Sequence, residues 1–175
     1  MIVRNATPAD AATLARLQTE SWRAAYAQLI PADALDMLEQ APRAERWAQM
    51  LADPNSPAIT LISENPDGTP GGFCVFGTTR DRDATGAVYE VVLLGTGAAS
   101  MRKGHGRALA QAVVERAAAA GVTEITLWVV QANRNACSFL ESQGFRADGS
   151  QRLDMRLTSL PLTEVRYRRG VAAAS

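Results

Sequence analysis

The stretch SMRKGHGRALAQAVVERAAAAG, residues 100–121, places Arg102 and Lys103 directly before Gly104 and Gly106, at the head of an Ala/Leu/Val-rich run. Glycine weakens a helix, so two of them at a helix start imply a need for bare backbone there. The first N–H groups of a helix lack partners and carry partial positive charge, and a phosphate is an anion such a turn is suited to hold. An ordinary loop-to-helix turn competes with that explanation, as solvated charge does for Arg102, Lys103 and Arg107. His105, between the glycines, reads as a residue pointing to solvent. A second residue with chemical potential is Glu90, in VYEVVLL. A carboxylate among apolar neighbours is costly to bury, so it calls for a cation partner or a use as a base.

Phosphate-binding patterns differ in what they demand of this loop. A Walker A loop needs GxxxxGK[ST], which the chain lacks. A dinucleotide fingerprint needs GxGxxG between a strand and a helix. GTGAAS at 95–100 follows a strand with no helix directly behind it, and GHGRAL at 104–109 has Leu109 in the third glycine slot. A third pattern fits better. MRKGHGRA resembles the Q/R-x-x-G-x-G/A pyrophosphate signature of the GNAT superfamily of N-acetyltransferases. NRNACSFLESQGFR at 133–146 resembles the N-x-x-A-x-x-F-Y-x-x-x-G-F segment of the same superfamily. The two stand in the family's order and spacing, with ITLWVV between them. SWRAAY, a hairpin, the YE strand and EVRYRR extend the resemblance along nearly the whole chain.

The resemblance implies an acetyl-CoA-dependent N-acetyltransferase that passes an acetyl group to a primary amine by direct attack within a ternary complex. It implies that backbone amides from Arg102 through Lys103, Gly104, His105, Gly106 and Arg107 to Ala108 hold the pyrophosphate, with Arg102, Lys103 or Arg107 helping electrostatically. The pantetheine arm would pair with backbone at Val91, Val92 and Leu93, and an N–H of Val92 or Leu93 would serve the developing oxyanion. Asn133 matches the family asparagine beside the pantetheine, and it also reads as a helix N-cap. Glu90 would take the amine's proton, directly or through water, or else form a structural salt bridge. Trp22 and Tyr26 would shape the acceptor pocket, or pack in the core. Three departures stand out: Met101 in the Q/R slot, a longer loop before the glycines, and Leu140 where many members carry the tyrosine that protonates the leaving thiolate. A missing general acid slows turnover, by roughly 10²–10⁴-fold, rather than forbidding it. An alternative from another class is therefore a catalytically degenerate acyl-CoA-binding or sensing module. A third is a nucleotide-binding oxidoreductase using GTGAAS.

Around these residues the chain supplies an α/β or α+β frame. Residues 2–5 read as a strand, and Thr7-Pro8-Ala9-Asp10 as a capped helix start whose helix continues through Leu14, Leu17, Ser21 and Ala25 to a break at Pro31. Shorter helices follow at 33–39 and 42–52, then an antiparallel hairpin from ITLIS at 59–63 and FCVFG at 73–77. A strand at 88–94, a loop from Gly95 to Ser100, a helix over 105–120 closed by Gly121, and a strand at 125–130 form a β–helix–β unit with parallel strands. A helix after Asn133 stops at Gly144-Phe145, and a last strand covers 162–169. The result is a mixed, mostly antiparallel sheet; the resemblance adds a central splayed parallel pair with flanking helices. One domain spans 1–170, and 171–175 reads as a frayed tail.

Charge argues against nucleic acid and anionic membranes as main partners: Lys+Arg and Asp+Glu are equal at 18 each. No signal-peptide core or membrane-length apolar run occurs, which points to the cytoplasm. One histidine and no CxxC pair speak against a structural metal, and Cys74 and Cys137 read as free, buried thiols. The resemblance is compatible with a homodimer.

Overall fold

Thr7 and Asp10 start the first long helix by a local network. The Thr7 N–H and hydroxyl both donate to Asp10 Oδ2, at 2.8 and 3.0 Å. Arg4 donates to the same carboxylate at 2.8 and 2.9 Å and holds its pKa down at about 2. The structure, a computed structural model, describes residues 1–40, 42–155 and 161–172, without the side chains of 37–40. Its elements are β1 (Ile2–Asn5), a turn of 3₁₀ helix (Pro8–Asp10), α1 (Ala11–Tyr26), α2 (Ala32–Gln40), α3 (Arg43–Ala52), β2 (Ala58–Glu64), β3 (Pro70–Thr78) and β4 (Val88–Thr96). A second 3₁₀ turn (Ala98–Ser100), α4 (His105–Ala119), β5 (Glu124–Val130), α5 (Arg134–Ser142), β6 (Arg146–Asp154) and β7 (Leu162–Gly170) complete the chain.

The strands form one sheet in the order β1-β2-β3-β4-β5-β7-β6, antiparallel except for β4 and β5. Side-chain alternation sends successive residues to two separate cores. Leu61, Cys74, Phe76 and Val91 pack with Leu109, Val113 and Ala117 of α4 and with Leu140 of α5. Ile62, Phe73 and Val75 pack on the other face with Leu14 and Leu17 of α1 and Trp47 of α3. The mixed sheet with a parallel pair and flanking helices agrees with the expected fold. Among the described residues no helix is long and apolar enough to cross a membrane.

Three expectations need correction. The strand expected to end at 94 runs on to Thr96, because Gly95 and Thr96 pair with Phe73 and Gly72. Gly95 belongs there because α1 passes close by: a Cβ at that position would lie 2.5 Å from Ser21 Oγ. β6 was not expected at all. Its sequence RADGSQRLD lacks apolar alternation, and pairing with β7, interrupted by a register shift between Ala147 and Gln151, makes it a strand. Val171, expected to open a frayed tail, is instead fastened: its N–H donates to Thr123 O at 2.9 Å and its side chain packs on the core. Residues 173–175 lie outside the described residues.

Candidate functional site

The parallel pairing of β4 and β5 runs only from Val88↔Glu124 to Val91↔Leu127. Beyond it β4 continues on β3 alone and β5 on β7 alone, so the carboxyl ends diverge. At the same point the β3–β4 register shifts: Phe76 faces Val91 and Val75 faces Leu93. Val92 is therefore a bulge residue without a register partner on either side, and it is 43% exposed. The bulge reverses the alternation. Val91 belongs to the core under α4 and α5, whereas Leu93 packs on the α1–α3 side. At the foot of the gap a small apolar void of about 10 Å³ is lined by Cys74, Val91, Leu94, Leu127, Leu140 and Phe145, among others. Leu140 thus fills an apolar floor, and burial pushes the Cys74 thiol pKa well up.

Glu90, one residue before Val91, points to the face opposite Tyr89, whose ring packs on Phe76 at 5.5 Å between centroids. Glu90 is buried, and its Oε2 accepts the Arg80 N–H at 3.3 Å. Among the described residues it forms no ion pair, so the salt-bridge alternative for this carboxylate is not what the fold provides.

The loop into α4 turns on two left-handed residues, Arg102 at φ 60° and Gly104 at φ 94°. Gly104 is the N-cap, and no side chain caps the helix. A Cβ at Gly104 would meet nothing closer than Met1 Cε at 3.9 Å, so its glycine is required by φ and leaves the backbone open. Gly106 has a different reason: a Cβ there would stand 3.2 Å from Phe139 Cζ, so this glycine lets α4 approach α5. Arg102, Lys103 and Arg107 are exposed around the turn, and Ala108 is half-buried. Asn133 accepts the Ala136 N–H at 3.2 Å, the expected cap of α5.

His105 corrects the expectation of a solvent-facing side chain. It has no exposed surface; its Nδ1 is 2.9 Å from Ser63 Oγ, and its Nε2 has no partner among the described residues. Burial lowers its pKa, with Lys103 and the chain's amino group adding to the effect. The sequence carried the signal, since His105, Leu109, Val113 and Ala117 recur every four residues and all are buried. Trp22 and Tyr26 are half-buried near the end of α1, and the Arg43 guanidinium lies 4.7 Å from the Trp22 ring centroid.

Sequence reasoning missed a polar construction on the Glu90 face of β5, β7 and β6. Arg166, 4% exposed, donates to Asp81, Asp83, Asp148 and Ser150 at 2.6–3.0 Å. Trp128 Nε1 donates to Asp81 at 3.1 Å, and Arg152 stacks over the Trp128 ring at 4.3 Å while reaching Glu164 at 2.6 Å. The alternation in EVRYRR puts Glu164, Arg166 and Arg168 on one face, but the carboxylates that the two arginines meet are remote in sequence.

Residues 14–145 match the acetyltransferase (GNAT) family. The uncharacterized N-acetyltransferase YuaI of Bacillus subtilis (strain 168) is 28% identical over 133 residues, covering 75% of this chain and 72% of YuaI. Among solved structures, the paia N-acetyltransferase of Thermoplasma acidophilum in complex with coenzyme A superposes with a TM-score of 0.76 at 18% identity, over 97% of this chain and 98% of that one. The yncA structure from Salmonella typhimurium, with its cofactor acetyl-CoA, superposes with a TM-score of 0.66 at 18% identity, over 100% of this chain and 96% of the other.

Proposed function

This chain belongs to the GNAT acetyltransferase family and is an acetyl-CoA-dependent N-acetyltransferase, and we propose that it acetylates a primary amine by direct attack in a ternary complex. The observation that carries this reading is the coincidence at Val92: the sheet opens and its ladder is interrupted at the same residue. A thioester there would meet backbone donors of Val92 or Leu93 instead of a closed ladder. The residues around the α4 start suit a pyrophosphate, with open backbone at Gly104 and three exposed cations beside it. In this reading the whole of residues 1–170 is one catalytic domain.

Acetyl-CoA supplies an acetyl group already activated as a thioester. The chain's part is to place it and to manage protons. Backbone amides and cations at 102–108 hold the pyrophosphate, while Val91 to Leu93 align the arm beside the gap. Glu90, with no cation partner among the described residues, accepts the proton that the amine must lose before its nitrogen attacks. The Val92 or Leu93 N–H stabilises the charge that develops on the carbonyl oxygen. Leu140 offers no proton to the leaving sulfur, and a thiol like that of free cysteine, with pKa about 8.5, leaves tolerably as thiolate. Asn133 keeps α5 in place beside the arm, and Trp22 and Tyr26 border the acceptor side.

A calorimetric titration with acetyl-CoA, using NADH as control, tests the reading on the wild type and on the exposed charge reversal Arg102→Glu/Lys103→Glu. Acetyl-CoA binding that weakens in the variant is expected; NADH binding in its place would return the reading to an oxidoreductase. Leu140 specifically favours one second reading, an acyl-CoA-binding module without turnover. Release of free thiol with a panel of amines excludes that module, and tight binding with no release supports it.

A further inference from the structure

His105 occupies a place where an aliphatic side chain would complete the stripe of Leu109, Val113 and Ala117 at no polar cost. The ring instead carries a buried nitrogen with no partner among the described residues, which is unfavourable and uncommon in folded proteins. Its surroundings are shaped to keep it. Nδ1 meets Ser63 Oγ of β2 at 2.9 Å. Nε2 faces β3 at Gly71, where a Cβ would stand 2.2 Å away, so only glycine leaves room for the imidazole. At Gly72 a Cβ would lie 2.9 Å from Ser63 Oγ and 3.1 Å from His105 Cβ.

The same Gly71 also holds the other end of the loop. Its carbonyl accepts the Gly97 N–H at 3.0 Å, where β4 gives way to the residues leading to α4. Next along, the Ala98 N–H donates to Glu20 Oε2 at 2.9 Å. Residues 98–104 are therefore bracketed: Gly97 is fastened to Gly71 by backbone, and His105 is seated on Gly71 by its ring. The span between contains both left-handed residues, Arg102 and Gly104.

We infer that His105 is a positioning residue for the cofactor: its ring, keyed to Ser63 and Gly71, sets where the backbone amides of residues 102–106 stand. This rests on the reading of that loop as the pyrophosphate site. The ring acts from behind the loop and does not itself touch the ligand.

The test compares coenzyme A with pantetheine, which lacks the pyrophosphate, by calorimetry on the wild type, His105→Leu, His105→Asn and Ser63→Ala. His105→Leu keeps the apolar filling and removes the hydrogen bond, and it is expected to weaken coenzyme A binding about tenfold. Pantetheine affinity should stay at the wild-type level. His105→Asn places a polar atom near the Nδ1 position and should restore most of the loss. Ser63→Ala removes the same bond without altering α4 and should repeat the loss even if His105→Leu does not fold. Because the chain has a single histidine, its imidazole ¹⁵N resonances are unambiguous, and they should move on adding coenzyme A but not pantetheine. Coenzyme A binding unchanged in both His105→Leu and Ser63→Ala overturns this inference alone, as does an equal loss of both ligands. A wild type that binds no coenzyme A overturns the pyrophosphate reading, and this inference with it.

Discussion

The amino ends of α4 and α5 lie on the same side of the sheet and solve the same problem differently. Each exposes unpaired N–H groups. At α5 the chain answers with its own side chain, Asn133 accepting from Ala136. At α4 it places a left-handed glycine that has no side chain to offer, puts exposed Arg102, Lys103 and Arg107 around it, and seats the helix on a buried histidine. A self-capped start is complete as a piece of secondary structure. An uncapped start ringed by cations makes sense as half of a contact with an anion. On the function proposed above, the same backbone feature is a stability device at one helix and a binding device at the other.

The contrast is sharpest in substitution at the two cap positions. Gly104→Val forces a β-branched side chain to φ 94° and should weaken coenzyme A binding roughly a hundredfold by calorimetry. An unchanged affinity would remove the backbone cradle from the explanation. Glu90→Gln lies outside both helix starts and separates binding from chemistry. It should lower turnover with a competent amine by about 10²–10⁴-fold while leaving acetyl-CoA affinity in place. A loss of affinity instead would make Glu90 a structural group.

A smaller effect is expected at α5. Asn133→Ala should reduce stability by about 1 kcal/mol in denaturant unfolding, and Asn133→Ser should recover most of it. If Asn133→Ser restores stability but not coenzyme A affinity, the asparagine has a ligand role beyond its cap.

The smallest effect is a pH dependence under α4. His105 is held below its ordinary pKa of 6.5 chiefly by burial, and the charged groups facing it, Lys103 from the loop and the amino group of Met1 just before β1, are both positive. Ser63 from β2 and Gly71 and Gly72 from β3 add no charge. Well above pH 6.5 the residue is neutral in both folded and unfolded chains, so it has no pH-dependent effect there. As pH falls below 6.5 the unfolded chain takes up a proton that the folded one refuses, and stability declines, by at most about 1.4 kcal/mol per pH unit. His105→Asn should flatten this part of the curve between pH 4 and 6.5, before the carboxylate of Asp10, whose folded pKa of about 2 lies below its unfolded 3.8, contributes its own loss at lower pH. Parallel curves for the two proteins would mean that the histidine is not held neutral.

Legibility in the sequence followed the range of the interaction involved. Local signals were plain: Thr7 and Asp10 at one helix start, Asn133 at another, and Gly121 and Gly144 in left-handed positions at helix ends. The β–helix–β order implied the parallel β4–β5 pair, and the motifs at 101–108 and 133–146 carried the family. What escaped was non-local. β6 has no apolar period and is a strand only because β7 lies beside it. The motif at Gly106 did not show that a Cβ there would meet the Phe139 ring of another helix.

Residue types and short-range spacing, acting through propensity, capping and alternation, determined where the helices start, which strands are parallel and which loop is rich in glycine and cations. Only the tertiary structure decided that the sheet parts at Val91, that Val92 bulges there, that Glu90 is buried with its Oε2 on the Arg80 N–H and that His105 turns inward onto Gly71. Each of these depends on atoms from segments far apart in the chain, Ser63, Gly71 and His105 among them, which local preference cannot bring together and close packing does.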